Sequence, residues 1–519
     1  MSVVLGEMAE VRAVEMESDA SPAWMRIARL AAFSIFALAL SITVVRAALH
    51  AGSQFTGPHA FVSADVATTA RTFASQGIWK LHWIPVNNNP PIGPEDRYTH
   101  WPPLLPVLLS ACFRLFGASE KVSHLFMLGV LISTAILIVR LGASWLGWIG
   151  GALAGYFWLT LPVVVQFGDL VAQQQLAVLF LLAALAAYHS HRETLGSLLL
   201  FLAALSSWEA ILVIPGLWLA SLRLPELRRA ALSAAIGSGA GVLCVAGLFA
   251  FSDPALAADT LQTAKYYMGL SPVYSHVLAH DQMSPLPFSA QISGILWNHL
   301  WMLGALAIAA LLQLLAVRPK SGTLLTYSLA APWILWMTGM RTHMAIHRFE
   351  LLIAAPLAAL ALAWLATAEL RAKPSKGAVF KSSMLVGLAA VQLLILPHPR
   401  SAPRLPHDYD AQRLIRYAED VRNATEPGSI VLAPLESAVP IYYSDRHVVR
   451  GIADDAALSG ELRRARREFP GRQLYLAIPP FLANSFSHAL SKGRLVASTG
   501  DTIIVALTQT PGEDTTNTR

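Results

Sequence analysis

Asp65 is an isolated carboxylate in a polar, aromatic stretch (Ser63 to Gly117) that follows the first long apolar run of this 519-residue chain. A lone acid beside a membrane segment suits a general base, which needs one proton acceptor within hydrogen-bond reach of its substrate. Ser63 predicts an N-cap for a helix starting near Ala64, so Asp65 falls in the first turn, where the helix dipole favours a carboxylate. The plainer role for Asp65 is support of that helix start. Phe61, Val66, Ala70 and Phe73 recur at near-helical spacing and predict a helix lying on the membrane surface. Further along, Arg97-Tyr98-Thr99-His100-Trp101-Pro102-Pro103 gathers a cation, an imidazole and two aromatics before an apolar helix. Arg97 or His100 suits a phosphate and Tyr98 or Trp101 a sugar face; an interfacial aromatic belt is the alternative.

Three more places carry candidates. Asp169 sits in Gln166-Phe-Gly-Asp-Leu-Val-Ala-Gln-Gln-Gln, at the junction of two apolar segments. Acids at such junctions usually face an interior cavity. Asp65 and Asp169 could hold a divalent cation (magnesium or manganese), or one could act as base while the other positions substrate; the alternative for Asp169 is a solvated helix cap. Arg341-Thr-His343-Met-Ala-Ile-His347-Arg348 puts two imidazoles four residues apart, on one face of any helix formed there. Met344 stands where a zinc-protease motif needs Glu, so a phosphate site fits better than a metal site. Glu350 follows, an odd charge at the start of an apolar run. Ser206-Ser207-Trp208-Glu209 divides two short apolar pieces, 195–207 and 209–222, whose polar junction predicts a cavity-facing break. Lys265-Tyr-Tyr, His276, His280 and Asp281 lie in a long 253–293 loop, a candidate lid without assigned roles.

The elements that must position these residues are membrane helices. The chain is 55% hydrophobic and only 13% charged, against about 25% charged in soluble domains. Apolar runs predict about 11 transmembrane helices, at 27–48, 122–140, 146–166, 172–189, 195–207, 209–222, 229–252, 294–317, 323–340, 349–369 and 381–397. The segment 102–118 reads as a re-entrant or surface-lying helix. Arg26, Arg29, Arg140, Arg192, Arg223, Arg228, Arg229, Arg318, Lys320, Arg371, Lys373 and Lys376 fall in alternate connections, which the positive-inside rule makes cytoplasmic. The N-terminus is then cytoplasmic. The Asp65 loop, the 253–293 and 341–348 loops and the C-terminal region face outward. The first run is too long for a signal-peptide core and reads as a retained anchor.

Past Pro399 the pattern changes. A Pro-rich linker leads to a helix at 409–423, strands at Ser429–Ala433, Gln473–Ile478 and Asp501–Leu507, and helices at 453–468 and 480–490. This predicts a small outward α/β domain over 399–510, after a membrane domain over 1–398 and before a disordered tail from 511. Cys112 and Cys244 are too separated for a disulfide framework or metal site. No GxxxxGK[ST] or GxGxxG occurs, which argues against an ATPase or a dinucleotide enzyme. The net charge of +6 is dispersed along membrane edges and the C-terminal region, and does not point to nucleic acid.

A first span, an outward loop with an Asp on a surface helix, then Tyr98-Thr-His-Trp-Pro-Pro-Leu and Phe116-Gly, resembles the GT-C superfamily of polyprenyl-phosphate-sugar-dependent glycosyltransferases. Bacterial members related to protein O-mannosyltransferases and the aminoarabinose transferase of lipid A are the nearest in pattern. The resemblance covers about 50–370 and is sharpest at 60–117 and 160–210. It implies a GT-C-like fold in a bacterial inner membrane and a lipid, glycan or protein acceptor. In such a fold Asp65 takes the place of the catalytic acid and Asp169 that of a second outer-loop acid. Trp208-Glu209 stands where relatives carry a Lys-Gly or Trp-containing turn. Ala64 and Val66 flank Asp65 where many relatives have a second acid. The rival is a transporter or flippase of lipid-linked intermediates. Such a protein would carry mid-membrane charges and inverted repeats, which this sequence lacks.

Overall fold

Apolar helices make up most of the computed structural model, which describes residues 23–507 apart from 58, 253, 272, 275–281, 284, 318, 320–321, 373–381, 388–410 and 436. His276, His280, Asp281, Arg318, Lys320, Lys373, Lys376, the Pro399 linker and the polar tail lie outside the described residues. Among the described residues, Met25–His50, Glu120–Thr160 and Pro225–Ser252 are each long and apolar enough to cross a bilayer. Leu104–Phe116 has 13 residues, about 20 Å of helix, too short to cross a core of about 30 Å unaided.

Three junctions explain how a hydropathy pattern becomes a bundle. Glu120–Thr160 is two helices that reverse at Gly147, whose φ of 74° only glycine adopts without strain. Val139 and Gly151 would stand about 18 Å apart on a straight helix. A Cβ on Gly151 would instead meet the Val139 carbonyl at 2.5 Å, so the two halves fold back and pack. The run at 294–317, expected as one span, is broken into Phe288–Met302 and Ala305–Val317, bent by 103°. Gly304, with φ 82°, makes the break. The junction between Glu193–Ser206 and Val213–Arg223 is a 3-10 turn, Trp208–Leu212, as its polarity predicted. Ser206, Ser207 and Glu209 are fully buried there, covered by protein.

The first outer loop departs from expectation. Its helix runs Ala60–Gln76, capped by His59 in the left-handed region, so Asp65 lies in the second turn, not the first. Ser63 is not the cap. Its hydroxyl accepts from the Val171 amide at 3.1 Å, a tertiary bond that ties this helix to the loop after Asp169. Nor does the helix lie bare on a membrane face. Val66, Ala70 and Phe73 are buried, and only Phe61 is exposed. The stripe packs against Leu105, Leu109 and Phe113, and shares a core with Leu414, Ile415, Ala438 and Tyr442 of the C-terminal unit.

That unit is α/β, as the sequence predicted. Strands β3 (Ile430–Leu432), β4 (His447–Val449), β5 (Leu474–Ile478), β6 (Arg494–Ser498) and β7 (Ile503–Ala506) form a sheet in the order β4-β3-β5-β7-β6; β1 (Val273–Tyr274) and β2 (Gln282–Met283) pair separately. β3 runs parallel to β4 and β5, and β7 antiparallel to β5 and β6. β4 and β6 escaped sequence analysis: β4 is three residues long and β6 is mostly exposed, so neither leaves an apolar signature. Ala411–Ala424 and Asp455–Glu468 match the predicted helices, whereas 480–490 is a 3-10 turn followed by Ser487–Lys492.

The Asn-rich loop joins the two parts. The Asn88 amide donates to the Val448 carbonyl and its oxygen accepts the Val448 N–H, both at 3.0 Å. One side chain thus imitates a neighbouring strand at the β4 edge, which would otherwise be left unpaired. Asn89 donates to the Ile441 and Arg446 carbonyls, while Arg71 donates to Asn89 Oδ1 and the Tyr442 carbonyl.

Candidate active site

The second turn of Ala60–Gln76 brings Asp65, half-exposed, up to Tyr98, His100 and Arg450, and the open surface these residues share is the candidate cleft. Asp65 Oδ1 is sealed and has no hydrogen-bond partner among the described residues. Burial pushes the Asp65 carboxyl up to about 6, against the opposing pull of Arg450 and His100. A desolvated carboxyl with an unsatisfied oxygen is suited to take a proton near neutral pH.

Tyr98, His100 and Trp101 form one wall. Tyr98 faces Asp65: its hydroxyl is held well above the usual range by burial and then by the Asp65 charge. The Tyr98 and His100 rings lie 4.7 Å apart. Three neighbours fix His100. Its carbonyl accepts from the Trp208 indole at 2.8 Å, and its Nε2 is 3.0 Å from Thr263 Oγ1 and 3.5 Å from Asp259 Oδ2. Thr263 and Asp259 belong to the helix Pro254–Tyr267 of the 253–293 loop, which packs on this wall through Leu256 and Thr260 against Thr99. Arg97 is half-buried on the adjoining turn, its backbone bridged to Val86.

Tyr267, at the end of that covering helix, carries the cleft across to the third cluster. Its ring lies 4.2 Å from His343 edge-on, with Trp101 at 5.7 Å and His347 at 4.5 Å from the same imidazole. Tyr98, Trp101, Tyr267 and His347 all keep part of their surface open while surrounded by protein, as cleft walls do. His343 and His347 do not share a continuous helix: Arg341–Ile346 ends before His347, and a 3-10 turn, Arg348–Ile353, follows. Burial pushes the His343 imidazole down to about 3 and holds His347 well below the ordinary range. These imidazoles are neutral, so they offer hydrogen bonds rather than charge. Arg348 is buried beside them. Arg341 turns away and donates to Gln291 Oε1, the Thr338 carbonyl and the Met268 carbonyl.

Behind the cleft lies a sealed acidic node. Glu350 Oε1 accepts from Gln174 Nε2 at 2.7 Å and lies 2.8 Å from His343 Nε2; Oε2 accepts from the Trp336 indole at 3.0 Å. The same Gln174 amide reaches Glu209 Oε1 at 3.3 Å, and the Ser207 hydroxyl donates to Glu209 Oε2. Both glutamates are fully buried. Glu209 therefore braces the site from inside and does not line the cleft.

Asp169 stands apart. It lines a hollow of about 150 Å³ beneath the end of Ala23–His50, with Arg46, His50, His124 and Gln166. Ser63 links that hollow to the Asp65 helix, yet no bond joins Asp65 to Asp169 among the described residues. Among the described residues, no group of three or more His, Cys, Asp or Glu side chains could hold a metal ion.

Sequence reasoning found Asp65, the 97–101 wall and the 341–350 cluster, which converge. It missed Gln174, Trp336, Asp259, Thr263 and Arg450, and left Tyr267 without a role. A run of three glutamines opening an apolar helix was a usable signal for Gln174, since buried amides there need polar partners. Arg450 follows the short β4 strand and had no such signal.

A helical membrane bundle whose first long loop carries Asp65 beneath an α/β unit shares the GT-C fold of the solved structures it superposes on. The chain superposes on ArnT from Cupriavidus metallidurans, solved with undecaprenyl phosphate bound, at a TM-score of 0.59 and 13% identity, covering 91% of this chain and 97% of that one. It also matches the Archaeoglobus fulgidus oligosaccharyltransferase in its apo form, at a TM-score of 0.54 and 14% identity over 87% of this chain and 70% of that one. The same enzyme tethered to an acceptor peptide with an NVT sequon matches at 0.50 and 14% identity, over 92% and 74%. No family model and no curated protein sequence matches. At such identities the likeness is one of fold, in an integral membrane protein.

Proposed function

We propose that this chain is a membrane glycosyltransferase that moves a sugar from a polyprenyl-phosphate donor to an acceptor hydroxyl at the outer face of a bacterial inner membrane. The observation that carries this reading is Asp65: a carboxyl raised by burial to about 6, one oxygen unsatisfied, opening on an aromatic cleft in a GT-C fold. The acceptor oxygen attacks the anomeric carbon as Asp65 takes its proton. The bond from that carbon to the phosphate oxygen breaks, and polyprenyl phosphate leaves with the electron pair. Attack opposite the leaving group inverts the anomeric centre. Tyr98 and Trp101 suit the sugar face, and Arg97 and Arg348 suit the leaving phosphate, where preorganised charge is most effective. Asp169, in the neighbouring hollow, positions substrate. Asp65 and Asp169 are the carboxylates that could each hold magnesium or manganese, which would neutralise phosphate charge, but among the described residues they stand in separate places and do not form one shared site. Loss of activity on EDTA treatment, restored by the metal, is the test of that role.

The same reading keeps the crossing scheme of about 11 helices with a cytoplasmic N-terminus and an outward C-terminal unit. The acceptor is a lipid, glycan or protein. Mass spectrometry of membranes with and without the protein tests the whole: one polyprenyl-phosphate sugar accumulates in its absence and is consumed when it is restored. Unchanged lipid-linked sugars in both would overturn the reading.

A further inference from the structure

Both oxygens of Glu350 already accept N–H groups, from Gln174 at 2.7 Å and from Trp336 at 3.0 Å. That makes Glu350 an acceptor, so His343 Nε2, 2.8 Å from Oε1, is the donor in their bond. A neutral imidazole that carries its proton on Nε2 has a bare lone pair on Nδ1. His343 Nδ1 is buried and has no hydrogen-bond partner among the described residues. Around the ring stand Tyr267 at 4.2 Å, Trp101 at 5.7 Å and Trp336 at 6.2 Å. A phosphate ester has no proton to give this lone pair, and Glu350 and Glu209 behind it disfavour an anion. A hydroxyl satisfies the lone pair, and the aromatic faces suit the carbon face of a pyranose or furanose ring.

We propose that His343, oriented by Glu350, accepts a hydrogen bond at Nδ1 from a hydroxyl of the transferred sugar, so that this imidazole reads the sugar while Arg348 beside it is left to the phosphate. The proposal rests on the donor reading above and deepens it. His343 touches the substrate; Glu350, acting through it, is a positioning residue.

The test uses the full-length protein in nanodiscs, with decaprenyl phosphate and decaprenyl phosphate bearing glucose, mannose, galactose or arabinose as probes. Wild-type protein binds at least one sugar-bearing lipid about tenfold tighter than the bare lipid, the scale of a buried acceptor left unpaired when the hydroxyl is missing. His343→Phe closes that gap and leaves bare-lipid affinity unchanged. His343→Asn, which returns an acceptor near Nδ1, restores part of it. A His343→Phe variant that weakens bare and sugar-bearing lipids equally would overturn the proposal, as would a gap that survives the substitution or never opens in wild type. Histidine ¹⁵N spectra give a readout free of ligand: the His343 signal reports Nε2–H in wild type and loses that signature in Glu350→Gln. The opposite tautomer in wild type would also sink the idea. Bare-lipid binding reports separately on the donor reading, because its absence removes the polyprenyl phosphate itself.

Discussion

Two acidic centres lie back to back in this bundle, and they are finished differently. Glu350 and Glu209 are completely buried and their oxygens are met by Gln174, Trp336, His343 and Ser207. Asp65 is half-open to the cleft, with one sealed oxygen unmet. A buried carboxyl with its partners in place is a structural joint, since breaking one partnership strands a charge in low dielectric. A carboxyl short of a partner stores the desolvation penalty and releases it when a proton arrives. In the reading proposed above, the molecule separates an acid that holds shape from an acid that takes the proton.

The comparison breaks first at Asp65. Asp65→Asn is expected to lower turnover by about 10²–10⁴-fold while the protein still inserts and folds; full activity would remove Asp65 as base. Stability supplies a second reading of the same variant. The folded carboxyl, at about 6, holds its proton more tightly than the unfolded one. Its contribution is therefore fully present below about pH 4 and lost as pH rises to about 6. Asp65→Asn should then match wild type in Tm near pH 4 and exceed it above pH 6, by at most about 3 kcal/mol. Wild-type kcat/KM should fall as pH drops below about 6.

Glu350→Leu should do the reverse and destabilise by about 1–3 kcal/mol, because it leaves the Gln174, Trp336 and His343 donors unmet, read as a lower Tm at every pH. A Tm loss as large from Asp65→Leu would erase the distinction between the two centres. Asn88→Ala comes next. It unpairs the Val448 amide and carbonyl at the β4 edge, for about 1–3 kcal/mol. Its signature is faster hydrogen exchange at β4, spreading to the Asp65 helix that shares that core. Asp169→Asn, in the separate hollow, should cost less than about tenfold in kcat/KM. A loss equal to that of Asp65→Asn would join the two carboxylates into one site, as a bridging cation would.

The C-terminal unit changes how such tests are built. Sequence analysis set it apart as a small domain beyond a linker at Pro399. Tyr443 instead accepts from the Phe55 amide, Arg71 reaches Tyr442, and Arg450 lies near enough to Asp65 to lower its carboxyl. A truncation there strips the cover from the catalytic loop, so point variants separate catalysis from folding where deletion does not.

By itself the sequence determined the membrane class, the helical bundle, the α/β character of the C-terminal unit and three of the stretches that meet at the cleft. Hydrophobic period, Pro and Gly breaks and stranded polar residues are local signals, and local physics sets them. Tertiary structure alone decided that Ser63 bonds to Val171 instead of capping its helix, that Gly304 bends an expected span, and that Asp169 faces another hollow. It also decided that Glu209 and Glu350 share one glutamine and that Arg341 points away. Each of these depends on which distant chain segment fills a given hydrogen bond or void. That choice is made by packing across more than a hundred residues, where no periodicity carries it.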